Sequence, residues 1–442
     1  MKIAYIVPGS GGSFYCENCM RDSNMLQTFK EAGHEIIMVP LYLPVSSDTS
    51  LEKSPVFFGA VSLYLKEMFP FLHKWPKVFL NIFDSPFFLK LAAKAAGTTN
   101  ASGTEKLTIS MLKGENGSQK QEFQRLSSWL VNDIKPDIIH ISNILLIGLA
   151  SSLKSLSKNI PVVCSLQDED QWLCEFREPD QQTAWDIINQ KTQYVDFFIS
   201  VSQSYLDYIL TKIPDITKKT EIIPLGIHTN IYSQSDLDST TLIIGFLSRM
   251  SEAWGLGILS DAFIELKKHD RFKQVQLWLT GGMLGDDKKC IKQIQEKLNK
   301  HGLLQDLKIF DDFSLQNRIN FLKSLSVLSV PMPRGIAFGR FQLEALASGV
   351  PVVQPDKRGF HDFILNTGGG ILYDPNEKHG LKNALLKILS DSKLRKNLGK
   401  KGREAVAIKY DQIMVMKKTL SLYQTCINKI IDKDSKHAFK SD

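Results

Sequence analysis

The residues of this chain best equipped for chemistry are Arg249 and Glu344, each set close to glycine. Arg249 follows the run Gly245-Phe246-Leu247-Ser248, where a guanidinium could fork onto a diphosphate and stabilise it as it leaves. An arginine after a strand is also an ordinary surface charge. Here the small residues Gly255 and Gly257 that follow favour the phosphate reading. Glu344 lies in Phe338-Gly339-Arg340-Phe341-Gln342-Leu343-Glu344-Ala345-Leu346-Ala347-Ser348-Gly349-Val350-Pro351-Val352-Val353, which reads as loop, helix, glycine stop and buried strand. A helix tip beside glycine offers unpaired N–H groups and the positive end of the dipole, so Phe338 and Gly339 mark a phosphate cradle. A carboxylate one turn inside can accept hydrogen bonds from sugar hydroxyls. Arginine, helix tip and carboxylate together suggest a nucleotide-sugar site.

Other motifs are less specific. Pro8-Gly9-Ser10-Gly11-Gly12-Ser13 ends the first strand and could face a phosphate or a sugar through Gly11 and Gly12, or be a tight turn. It is not a dinucleotide fingerprint, because Phe14 stands where the third glycine belongs and no acid ends the strand Ile36-Ile37-Met38-Val39-Pro40. Thr280-Gly281-Gly282 allows another close backbone approach, or only a turn. Gln167-Asp168-Glu169-Asp170 follows the strand Pro161–Ser165, where Asp168 and Asp170 could bind acceptor hydroxyls, serve as a base or form a solvated loop. No third ligand beside Asp168 and Asp170 argues for a metal. Cys16-Glu17-Asn18-Cys19 lacks the second pair a zinc site needs, so packed thiols are expected.

The elements that must position these residues alternate. Ile3–Val7, Glu35–Val39, Asp137–Ile141, Pro161–Ser165 and Phe197–Val201 read as buried parallel strands. Leu26–Ala32, Phe123–Val131, Leu145–Leu156, Thr183–Gln193 and Ser204–Leu210 read as the helices between them. A polar stretch, 229–240, reads as a linker. A second alternation follows, with strands Thr241–Leu247, Val275–Thr280, Leu307–Phe310, Val327–Val330, Val350–Gln354 and Gly370–Leu372. Its helices are Gly257–Lys268, Asp287–Lys300, Leu315–Lys323, Arg340–Ser348 and His379–Leu389. The expected fold class is α/β: two doubly wound Rossmann-like domains facing each other across a cleft, where ligands bind at carboxyl ends of strands. The expected boundaries are 1–228 for an acceptor-side domain, 241–408 for a donor-binding domain and 409–432 for a final helix crossing back to the first.

Composition narrows the class. A length of 442 residues suits two domains of roughly 200 residues each. The net charge of +7 favours anionic ligands, and no dense basic block marks a nucleic-acid binder. Six scattered cysteines form no disulfide framework, which points to a reducing cytoplasm. The apolar run before Pro8-Gly9 is too short for a signal peptide, and no spanning helix is expected. The segment 55–100 breaks the alternation. It carries ten aromatics between Phe57 and Phe88 with Lys66, Lys74 and Lys77, as suits a membrane interface, an acceptor groove or a helical lid.

In this order, the blocks resemble the retaining glycosyltransferases of family four, with the GT-B fold. The resemblance runs from the glycine-rich first loop to Leu398-Gly399-Lys400-Lys401-Gly402-Arg403-Glu404-Ala405. The family's Gly, three residues, Arg, four residues, Lys, Gly falls on Gly245, Arg249, Trp254 and Gly255, so tryptophan replaces the lysine that binds diphosphate. The family's Glu, seven residues, Glu falls on Ile336 and Glu344. Glu344 keeps the ribose-binding role that the resemblance implies, whereas Ile336 cannot accept a hydrogen bond from a donor sugar and suits an altered or deoxy sugar, or none. Gln167 stands where the first domain usually has histidine. Arg340, Arg334, Lys357 or Arg358 could replace the lost cation, and Trp254 could stack on a ring.

The resemblance implies transfer of a sugar from a nucleoside diphosphate-sugar to a glycan or lipid-linked acceptor, with retention and with no metal or cofactor. Arg249 would hold the diphosphate and Glu344 the ribose. Phe338, Gly339, Gly281, Gly282, Trp254 and Ile336 would line the donor side. Gly11, Gly12, Gln167, Asp168 and Asp170 would line the acceptor side. The leaving phosphate itself would take the acceptor proton. The expected location is the cytoplasm, with peripheral contact at the inner membrane face. The departures at Trp254, Ile336 and Gln167 also suit a degenerate relative that binds nucleotide or glycan without transfer.

Overall fold

The computed structural model describes residues 1–9, 14–42, 104–235, 237, 241–285 and 287–438. Gly11, Gly12 and the aromatic-rich insertion 55–100 lie outside the described residues. The chain divides into two compact units. The first comprises Met1–Gly11, Asn18–Pro224 and Val415–Asp442, and the second Gly12–Glu17 and Leu225–Met414. The division falls between Pro224 and Leu225, ahead of the polar stretch 229–240 expected to be the linker. The short N-terminal segment in the second unit is not announced by any sequence pattern.

The first unit is built on six parallel strands: β1 (Lys2–Val7), β2 (Glu35–Pro40), β3 (Ile138–Ile141), β4 (Val162–Leu166), β5 (Phe197–Ser200) and β6 (Thr220–Ile222), in the order β2-β1-β3-β4-β5-β6. β3 and β4 are buried along their whole length, because helices on both faces leave no solvated side on which polar residues could alternate. The sequence carries no mark of β6. This strand is three residues long at the sheet edge, with Glu221 and Ile222 exposed, so it lacks the apolar run that announces a buried strand. The helix Gln412–Ala438 belongs here from Val415 onward. Val415, Met416, Leu422, Tyr423 and Cys426 join Ile3, Tyr5, Val7, Leu26 and Phe29 in one core.

The second unit also has six parallel strands: β7 (Ile243–Leu247), β8 (Gln276–Thr280), β9 (Leu307–Phe310), β10 (Val327–Leu328), β11 (Val352–Pro355) and β12 (Gly370–Tyr373). Their order, β12-β11-β10-β7-β8-β9, is the doubly wound dinucleotide-fold order read from the far edge. The order reverses between β7 and β10. Ligands in such sheets bind outside the carboxyl ends at that point. The helix Arg340–Ala347, which follows β10, is buried at every position. Such a helix must have its own charges neutralised by neighbours. Behind it, a Cβ on Gly402 of helix Ser392–Lys409 would lie 2.6 Å from Leu346, so glycine permits that helix to pack closely. Arg403 then donates to the carbonyls of Ala347 and Tyr232, capping the buried helix at its carboxyl end.

Candidate functional site

In the second unit, β7 delivers Arg249 two residues beyond its end, at the reversal point. Its Nε and Nη2 form a two-pronged pair with Asp287, at 2.7 and 3.0 Å. Asp287 opens the helix Asp287–Lys300 and also accepts from the Leu284 amide at 2.7 Å. Nη1 lies outside this pair, and the Phe14 ring sits 5.8 Å from the guanidinium carbon. The sequence marks Asp287 only as a helix start, because its partner is 38 residues away.

The glycine pair after β8 packs tightly against the protein's own backbone. Gly281 has φ +122°, and a Cβ there would lie 2.2 Å from the Ser248 carbonyl oxygen. The pair also meets residues Phe14 and Tyr15 of the N-terminal segment. Tyr15 donates its amide to the Gly281 carbonyl at 2.7 Å, and Phe14 pairs antiparallel with Gly282.

Glu344 is fully buried. Arg318 reaches it through Nε at 3.0 Å, and Arg340 through Nε at 3.1 Å. Both carboxylate oxygens therefore meet guanidinium groups, and a ribose hydroxyl would compete with them. Burial works against the charge on Arg340, but Glu344 and Tyr232 outweigh it and hold the guanidinium above its ordinary value. Arg340 is thus a structural counter-ion within the helix rather than an exposed replacement for the missing lysine. Its Nη1 is buried without a hydrogen-bond partner. The Arg318 guanidinium carbon lies 5.4 Å from the Tyr15 ring centre, and burial together with Glu344 raises the Tyr15 phenol well above its usual range. At the helix start, the Arg340 amide donates to the carboxylate of Glu17.

Ile336 is 1% exposed, packed so closely that Cβ atoms on Gly339 and Gly359 would strike it. Phe338 is buried edge-on against Phe363 and Tyr410, at 5.5 and 5.6 Å between ring centres. Trp254 is half-buried at the end of the short 3-10 turn Glu252–Trp254, ahead of Gly255.

In the first unit, the residues expected on the acceptor side sit at the carboxyl end of β4. The amide of Gln167 donates to Glu169 at 2.7 Å, and its side chain to the Ser142 carbonyl at 2.8 Å. Asp168 holds a left-handed backbone at φ 54°. Asp170 is buried and accepts from the Tyr205 hydroxyl at 3.2 Å. Of the alternatives for this stretch, a solvated loop does not hold: a short helix, Glu169–Leu173, starts here, and Glu169 and Asp170 are buried. Glu169, fully buried, accepts from Tyr205 and from the Ile144 amide at 3.3 Å, tying the ends of β3 and β4 together. Burial pushes its carboxyl up to about 7, against the pull of Tyr205 and the amides. Nearby, Arg21 pairs with Asp22 through Nε at 2.8 Å, and Tyr5 donates to Asp22 at 3.0 Å. His140 lies on β3, with Nε2 2.8 Å from the Ser165 hydroxyl and Nδ1 against Tyr423. Burial, reinforced by Arg21, lowers its pKa well below the usual histidine value, so it is neutral. These buried partners escape a sequence reading because no local spacing joins them.

Residues 228–405 match the family model for glycosyl transferases group 1, and residues 109–231 match that for Glycosyltransferase Family 4. This chain carries glycosyltransferase domains. The group 1 match contains Arg249, Gly281, Gly282 and the helix bearing Glu344. An uncharacterized glycosyltransferase of Methanocaldococcus jannaschii is 24% identical over 270 residues, 61% of this chain and 70% of that one. A phosphatidyl-myo-inositol mannosyltransferase of Mycobacterium leprae is 26% identical over 210 residues, 46% of this chain and 53% of that one. The match therefore spans about half of the mannosyltransferase. Among solved structures, a sucrose-phosphate synthase from Thermosynechococcus elongatus superposes with a TM-score of 0.71 at 17% identity, covering 97% of this chain and 100% of that one. With their two parallel six-stranded sheets, the glycosyltransferase domains have the GT-B fold class.

Proposed function

We propose that this protein transfers a sugar, with retention, from a nucleoside diphosphate-sugar to a glycan or lipid-linked acceptor. The observation that carries the reading is the end of β7: Arg249 stands at the strand-order reversal, inside the segment matched as glycosyl transferases group 1. In this reading Nη1 of Arg249 meets the diphosphate, and Asp287 aims the guanidinium. The sugar carbon to phosphate oxygen bond breaks, and its electron pair leaves on the diphosphate. The acceptor oxygen bonds to the same carbon from the same face, and its proton passes to the departing phosphate oxygen. Stabilising that departing charge is the task of the guanidinium. Glu344 holds Arg318 and Arg340 in place and binds ribose where a hydroxyl can share its oxygens. Acceptor hydroxyls would meet the β4 end near Asp168. No metal or cofactor has a part in this route. The mannosyltransferase relative, named for a phosphatidylinositol, supports a lipid-linked acceptor. The work would be done in the reducing cytoplasm, at the inner membrane face.

A second reading, binding without transfer, draws on Ile336 packed out of reach and on the arginines that enclose Glu344. A mass-spectrometric screen of UDP-, GDP- and ADP-sugars separates the two. Transfer or slow hydrolysis of one donor, reduced about 100-fold or more in Arg249→Ala, supports the enzyme. Binding without turnover supports the second reading. Failure of every nucleotide to bind would overturn both transfer and nucleotide binding.

A further inference from the structure

One short piece of this chain touches Arg249, the glycine pair Gly281-Gly282, Arg318 and the tip of the helix that carries Glu344. Phe14 lies against Arg249 and pairs with Gly282. Tyr15 bonds to Gly281 and covers Arg318. Glu17 accepts from the amide at the tip of the helix Arg340–Ala347, the seat expected for a phosphate. We infer that Phe14–Glu17 is a built-in occupant of the donor subsite, and that the Glu17 carboxylate stands in for the donor's phosphate. The inference rests on the glycosyltransferase reading and adds an autoinhibitory contact to it.

Charge supports this. The Arg318 and Arg340 side chains both bond to Glu344, Glu17 is held by the Arg340 amide, and all four charges act on the Tyr15 phenol, two cations against two anions. Removing the Glu17 carboxylate leaves one positive charge in excess, at a helix tip whose dipole also favours an anion. A second sign is independent of the helix tip. Nη1 of Arg340, on a side chain 1% exposed, has no hydrogen-bond partner. One guanidinium donor thus stands unpaired on the residue that opens the helix, as a site made for a larger, more highly charged anion would leave it. A phosphate at the helix tip must displace Glu17, so donor affinity is set by a competition within the chain.

The test compares wild type with Glu17→Gln by calorimetric titration with inorganic pyrophosphate and with UDP, at one fixed ionic strength. Glu17→Gln should bind pyrophosphate about tenfold more tightly. In the wild type, saturating UDP should speed hydrogen exchange in the peptide containing Phe14–Glu17 as that segment is released. Equal affinities, or exchange that slows or stays unchanged at saturation, would overturn the inference and leave the glycosyltransferase reading standing. If neither protein binds either probe, both fall. Circular dichroism checks that Glu17→Gln is folded; should it not be, the exchange measurement on wild type decides.

Discussion

Glu344 and Glu169 are both fully buried acids, and their partners differ in kind. Glu344 meets the guanidinium groups of Arg318 and Arg340. Removing one member of such a set would leave a buried charge uncompensated. Glu169 meets a phenol and two amides, none of them charged. Desolvation therefore dominates, and its carboxyl rises from 4.5 to about 7. Between those values the folded chain keeps a proton that the unfolded chain releases, so stability falls as pH rises. This contribution is complete below 4.5 and lost above about 7, and amounts to roughly 3 kcal/mol. Urea unfolding at about pH 5 and about pH 7.5 should show the fall in wild type and a flatter profile in Glu169→Gln. An equal slope in both proteins would assign the titration to another group.

At the scale of elements, the strand ends of the second sheet are held by backbone contacts that tolerate no side chain. At Gly281 an added Cβ would press on the Ser248 carbonyl oxygen, 2.2 Å away, and its amide nitrogen, 2.9 Å away, in a left-handed backbone. At Gly302 the backbone is also left-handed but nothing lies within 4 Å. Gly302→Ala should therefore cost only the conformational strain, about 1 kcal/mol. Gly281→Ala should cost about 3 kcal/mol or more, because β7 and β8 must also separate. Denaturant midpoints compare the two directly, and equal losses would show that β7 and β8 yield freely. The boundaries of several of these elements are legible in the sequence. Leu307–Phe310, Asp287–Lys300 and Leu315–Lys323 have the expected ends, because apolar periodicity and polar flanks mark them. The helix Glu105–Lys113 lacks such a mark, since its apolar residues Leu107, Ile109 and Met111 alternate at the period of a strand.

At the scale of the molecule, the first unit is assembled from both ends of the chain. Tyr423 packs 5.8 Å from Phe29 and bonds to His140, and Leu422 and Cys426 complete the same core. Each such side chain contributes about 1.5–3 kcal/mol by burial. Together they rival the 5–15 kcal/mol by which a domain is ordinarily stable. A chain ending at Asp411 should therefore lose cooperative unfolding and near-ultraviolet dichroism in the first unit. Retention of both would show that the final helix is dispensable.

Read alone, the chain declares two doubly wound halves, the strand ends that carry Arg249 and Gly281, and the buried helix with Glu344. Those features depend on neighbours along the chain, through period, glycine and apolar runs. Which groups neutralise the charges was decided only by tertiary structure. Asp287 for Arg249, Arg318 for Glu344 and Glu17 for the helix tip come from 38, 26 and 323 residues away. Hydrogen bonds and desolvation act through space, so no spacing in the sequence records them.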